Sequence, residues 1–211
     1  MSKELILSQL QATVDTYPVL LSIVHHILLV VVVVLLLIYK EKVKRLVDFY
    51  ITLVFFSVFL ASIAPIVNPF LIVVFGILTL LGIREFINPK MDYSMKDTPT
   101  IHIMIALVAG FIGFWYPETH FTKGSFSALY SSPLGVIPGP TLTVVLSLFL
   151  LAYPFTNRLF HWILSGVGLF FGFVGLFILG VKMDLALFLL ALYSFYSLLL
   201  LEIRKPKQNV A

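Results

Sequence analysis

Leu134-Gly135-Val136-Ile137-Pro138-Gly139-Pro140-Thr141-Leu142-Thr143 opens an apolar run that continues to Tyr153. Two prolines and two glycines stand at the head of a segment that otherwise reads as membrane-spanning, where free backbone groups are least tolerated. Thr141 to Tyr153 is thirteen residues, which as helix reach about 20 Å of a hydrocarbon layer roughly 30 Å thick. The spacing predicts a fifth span that is broken or shortened at Pro138-Pro140. If its helix starts below the headgroups, the first N–H groups lack helical partners and the positive end of the helix dipole points into the bundle. That arrangement holds anionic groups at depth in other membrane folds.

Composition fixes the class around this stretch. The chain is 60% hydrophobic and 11% charged with a mean hydropathy of +1.07, outside the soluble globular range. The expected architecture is an all-α membrane protein, a single integral membrane domain over residues 1–211 with seven transmembrane helices. Cysteine is absent, which excludes disulfides, thiolate catalysis and thiolate metal sites. The net charge of +4 comes from basic residues in short loops between apolar runs, which is orientation charge and not a nucleic-acid face.

Residues 1–17 carry Lys3, Glu4 and Asp15 around Leu5, Ile6, Leu10 and Val14, the pattern of a short interfacial amphipathic helix with Ser2 as its cap. The segment does not read as a secretory signal. Spans follow at about 19–38, 46–64, 69–83, 101–116, 137–153, 159–179 and 185–201. The second and third join through Pro65-Ile66-Val67-Asn68-Pro69, a tight helical hairpin.

The basic residues test this count. With the amino terminus outside and the carboxyl terminus cytoplasmic, eleven of fourteen fall on the inner side and only Lys3, Lys123 and Lys182 on the outer. If the fifth segment dipped in and returned, the split would fall to eight against six. Seven crossings fit better.

Lipid tails give helices no hydrophobic reason to associate, so small residues supply close contact. Ser165, Gly168, Gly172 and Gly175 lie on one face of the sixth span, and Ala106, Gly110 and Gly113 form a shorter stripe on the fourth. Both faces are expected to pack inside the fold; the alternative is a homo-oligomer or another membrane partner held through them.

Ionisable groups within spans are costly and default to functional roles. Here they are few. His25 and His26 are about 100° apart on a helix and cannot share one ligand site well; the plainer reading has one ring hydrogen-bonded inside the bundle and the other near the interface. His161 beside Trp162 reads as an interfacial ring, and Asp48 and Glu202 as solvated groups at inner boundaries. On the outer side Glu118, His120 and Asp184 reach the boundary where Pro138, Pro140, Thr141 and Thr143 open the fifth span, and these seven are the candidate ligand-binding residues. The plainer reading of Pro140 is a helix start in the headgroup zone. No His-Glu-x-x-His and no glycine loop before a lysine occurs. No catalytic group, metal or cofactor is therefore assigned. Ser165 with His161 lacks an identifiable third partner for a hydrolase.

Gly135-Val136-Ile137-Pro138-Gly139-Pro140-Thr141 resembles the Gly-Val-x-Pro-Cys-Pro-Thr motif of a family of uncharacterised bacterial multi-pass membrane proteins, a domain of unknown function. Tyr116-Pro117 ahead of the loop, Ile66-Val67-Asn68-Pro69, the Ser165 to Gly175 stripe and Gly180-Val181-Lys182-Met183-Asp184 are similar to further features of that family. Gly139 stands where its cysteine would be, and Gln11-Ala12 near the place of its tyrosine-asparagine pair. The resemblance implies a location in the bacterial cytoplasmic membrane and lends no activity. Three functional readings follow, in order: transport of a small solute or ion through an outward-facing site, a non-transporting structural or sensory subunit, and a membrane-embedded enzyme acting on lipid.

Overall fold

The computed structural model describes residues 3–17, 19–63, 67–118 and 126–203. Ser2, Pro65, Ile66, His120, Lys123 and the tail from residue 204 lie outside them. The described residues form helices and connecting turns, with no strand among them. In chain order the helices are α1 (Lys3–Thr16), α2 (Val19–Tyr39), α3 (Lys44–Ala61), α4 (Pro69–Ile87), α5 (Thr100–Trp115), α6 (Ala128–Ser131), α7 (Pro138–Leu151), α8 (Arg158–Phe173) and α9 (Asp184–Ile203).

Among the described residues, four helical stretches are long and apolar enough to cross a membrane: Val19–Ala61, Pro69–Ile87, Arg158–Leu179 and Asp184–Ile203. The first is folded on itself. Lys40 takes a positive φ of 50° within a tight turn, and α3 returns along α2 so that His25 Nε2 lies 2.9 Å from Ser57 Oγ. α5 and α7 are shorter apolar helices. Many large apolar side chains on α2, α4, α5 and α9 face outward, a surface suited to lipid rather than water.

α7 is the axis. All fourteen of its residues are buried, as expected of a helix without a charged face. α3, α5, α8 and α9 pack around it. Its hydroxyls turn back on its own carbonyls, Thr143 Oγ1 to Gly139 O and Ser147 Oγ to Thr143 O, both at 2.8 Å. No polar atom then faces the surrounding apolar core unpaired.

The glycine stripes lie on these contacts. Gly113 faces the Pro140 carbonyl and Thr143, and Gly110 faces Ser147, so α5 approaches α7 closely. On α8, Gly168 meets Ala191 and Gly172 meets the Phe188 backbone of α9. A Cβ on Gly172 would lie 2.7 Å from that backbone, closer than any real contact. α8 continues into a widened π turn, Val174–Leu179, closed by the left-handed Gly180. That turn carries Gly175 past the first residue of α9. α1 lies across the end of the bundle where α7 begins: Ile6, Leu7, Leu10 and Val14 rest on Tyr116, Val136, Ile137, Leu179 and Val181.

Candidate functional site

An α-helix leaves its first backbone donors without helical partners. At the start of α7 the sequence removes most of them. Pro138 and Pro140 have no N–H, and the Ile137 N–H donates to the Pro133 carbonyl at 3.1 Å. Of the unpaired donors in the first turn, the N–H of Gly139 remains. Gly135, at φ 78°, folds the preceding turn so that its own N–H reaches Thr141 Oγ1 at 2.9 Å.

Beside Gly139 stands a carboxylate. A Cβ on Gly139 would lie 2.5 Å from Asp184 Oδ1 and 2.6 Å from the Tyr116 hydroxyl. Tyr116 donates to Asp184 Oδ1 at 2.5 Å, while Asp184 Oδ2 rests against Gly175 of the π turn, where a Cβ would overlap it. Asp184 also begins α9, so its carboxyl group sits at the positive ends of two helices. The acidic group that such a helix start attracts is thus supplied by the chain itself.

Above this group is a cavity of about 280 Å³. It is lined by Tyr116, Pro138, Gly139 and Asp184, by Phe70, Leu71, Phe170 and Phe171, and by Ile6 and Leu10 of α1. A narrower space of about 40 Å³ continues between α1 and Asn68 toward Ser62. Among the described residues, no Lys, Arg or His lines the main cavity. Its size is at the small end of ligand pockets, and a mostly apolar lining with a few converging polar groups is their usual make-up.

Pro138 and Asp184 of the expected site line this space. Glu118 is buried and within electrostatic reach of Asp184 and Tyr116. Pro140, Thr141 and Thr143 are buried outside it; their groups hold the helix start together, as described above, and are not free for a ligand. His120 lies outside the described residues. Tyr116, Gly139 and Asn68 complete the site; in the sequence their signal was the Tyr-Pro step, the glycine between two prolines and the Asn-Pro helix cap.

At the other end of the bundle two sequence expectations are corrected. Asp48 is not solvated: it is 1% exposed, because the 88–99 connector folds back and lays Tyr93 over it, with the phenol 3.4 Å from Oδ1. His161 is not interfacial but fully buried. It turns inward against Phe149, with Nε2 2.6 Å from Ser194 Oγ and Nδ1 3.1 Å from Thr156 Oγ1. Ser165 Oγ lies 3.0 Å from the same Ser194 hydroxyl. The histidine-serine spacing is that of a base and a nucleophile, yet both are 0% exposed, so no substrate reaches them. Glu202 is exposed and paired with Arg158 at 3.0 Å.

The three other described histidines, His25, His26 and His102, are buried. His26 lies between the carbonyls of Ser22 and Phe114, at 2.6 and 2.9 Å, and His102 stacks on Tyr153 at 4.1 Å. Among the described residues no three His, Asp or Glu gather as a metal ion would require. No protein-family profile, curated protein or solved structure matches this chain.

Proposed function

We propose that this chain is a seven-span integral protein of a bacterial cytoplasmic membrane, amino terminus outside, that takes up a small solute through an outward-facing site at the start of α7. Seven helices longer than a single turn follow α1 among the described residues, and the basic residues divide eleven to three in that orientation. The family resemblance of the proline motif points to the same membrane. The observation that carries the site is the cavity of about 280 Å³ lined by Asp184 and Tyr116, with no basic side chain among the described residues of its lining.

That lining changes the ligand. A built-in carboxylate repels an anion, and apolar walls with aromatic faces favour an apolar body carrying an ammonium or another hydrogen-bond donor. Phenethylamine has both parts. The purified protein is expected to bind it saturably and, in proteoliposomes, to admit it from the outer face; D184N loses both, and phenylacetate does not compete. Equal binding of phenylacetate, or no binding of either, overturns the site.

A second reading rests on the packed axis: α7 is buried along its whole length. Saturable binding without uptake assigns the protein to that reading, a sensory or structural subunit using the same pocket.

A further inference from the structure

A carboxyl group removed from water must be surrounded by donors, paired with a cation, or neutralised by a proton. The end of the bundle far from the cavity holds two such groups that solve this differently. Asn68, at the cavity, caps α4, and Glu85 lies in its last turn, about 24 Å away at the rise of a helix.

Glu85 is 1% exposed and fully served. Its Oε1 accepts from the backbone N–H groups of Lys90 and Met91, and its Oε2 accepts from Asn157 Nδ2 at 2.5 Å. Three donors and no acceptor is the setting of an ionised carboxylate. A negative charge at a helix carboxyl end is otherwise unfavourable, so these donors are what retain it.

Asp48 is equally buried and poorly served. Oδ1 has the long contact from Tyr93, whose hydroxyl also lies 3.5 Å from Met91 Sδ. Oδ2 is buried with no partner. The charged groups around it are few. From α4 comes Glu85, set beside it by the α3–α4 contact in which Gly82 faces Thr52 and Phe86 meets Phe49, from the connector Tyr93, and from its own helix Lys44, one turn back, which makes no ion pair with it among the described residues. α7 contributes no titratable group; on α2, His25 is engaged with Ser57, nine residues further along α3. Lys40, Glu41, Lys42 and Arg84 are exposed.

We infer that Asp48 is a proton-binding site, a carboxylic acid kept neutral by its burial beside ionised Glu85. The ligand is a proton, taken from and returned to water with no other bond made or broken. Its release would set two buried negative charges side by side where α3, α4 and the 88–99 connector meet, and would loosen the connector that Tyr93 and Glu85 tie down. This inference is independent of the outer cavity.

Difference infrared spectroscopy of the full chain in nanodiscs tests it. At neutral pH a D184N protein, which lacks the other buried aspartate, is expected to show a protonated-carboxyl C=O component that shifts in deuterium oxide and is lost when D48N is added. When E85Q is added instead, the neighbouring charge is gone, and the component should vanish at a pH lower by about 1 unit or more. Should D48N fail to fold, the deuterium shift and the E85Q displacement decide the matter. A D184N protein without the component, or one stabilised by sodium but not by choline at equal ionic strength, overturns the proposal in favour of an ionised or sodium-bound carboxylate. An E85Q titration that does not move also overturns it.

Discussion

Tyr116 and Asp184, 68 residues apart in the chain, meet as phenol and carboxylate at 2.5 Å across the amino end of α7. The contact closes three elements at once: the end of α5, the start of α7 through Gly139, and the start of α9. Removing one partner of a buried hydrogen bond costs about 1–3 kcal/mol. Y116F should therefore lower unfolding stability in detergent by about that amount, and Y116F with D184N should cost clearly less than the two single changes added together. Additive losses would mean that the two side chains stand side by side without depending on each other.

The glycines around Asp184 differ in what they can accept, and this ranks their substitutions. A Cβ on Gly175 would overlap Asp184 Oδ2, one on Gly139 would press on both Oδ1 and the Tyr116 hydroxyl, and one on Gly166 would meet nothing within 4 Å. Overpacking of this kind costs about 1–3 kcal/mol. G175A and G139A should each lower the midpoint of thermal unfolding and weaken phenethylamine binding, since both displace the carboxylate. G166A should leave both unchanged. A G175A protein with wild-type binding would show that the carboxylate position is not what the cavity uses.

Much of this fold could be read before any coordinates, and the reason is solvent. In lipid every backbone group must be paired within the segment, so apolar length and glycine spacing carry over directly into helices and contacts; the α5 and α8 stripes lie against α7 and α9 at the residues that the spacing picks out. The amino end of α7 was legible as an irregularity, but not its resolution. That Asp184 returns to fill it depends on a π turn at Gly175, which no local pattern announces. Asp48 and His161 were misread for a related reason. Distance from the end of an apolar run says how deep a residue lies along the helix, whereas burial depends on which face it occupies and on what folds over it. For Asp48 the covering group is Tyr93, in a connector with no regular structure.

His161, Ser194 and Ser165 form a chain that is sealed from solvent, and its members are not equivalent. Ser194 Oγ serves both the His161 ring at 2.6 Å and Ser165 at 3.0 Å. S194A strands two buried polar groups and should cost more than about 2 kcal/mol, whereas S165A leaves the His161 contact in place and should cost about 1 kcal/mol or less. Chemical denaturation midpoints of the two variants measure this ordering. If the costs are equal or reversed, Ser194 is not the shared partner.

Tyr93 gives the connector a pH dependence of predictable sign. Burial, with the carboxyl groups of Asp48 and Glu85 adding to it, raises its phenol well above the usual value near 10. Below about pH 10 the phenol is protonated in both folded and unfolded chains and contributes no slope. Above it the unfolded chain releases a proton that the folded chain keeps, so stability falls as pH rises, by about 1.4 kcal/mol per unit for one such group. Y93F removes that term. It should be less stable than the wild type at neutral pH, having lost the contact to Asp48, yet lose stability more slowly between about pH 10 and 11, so that the two curves converge. Phenolate absorbance of the folded wild type should correspondingly match that of folded Y93F, and unfolding should release one more phenolate from the wild type. Stability curves that stay parallel through this range would place Tyr93 in contact with water and remove the connector's hold on Asp48.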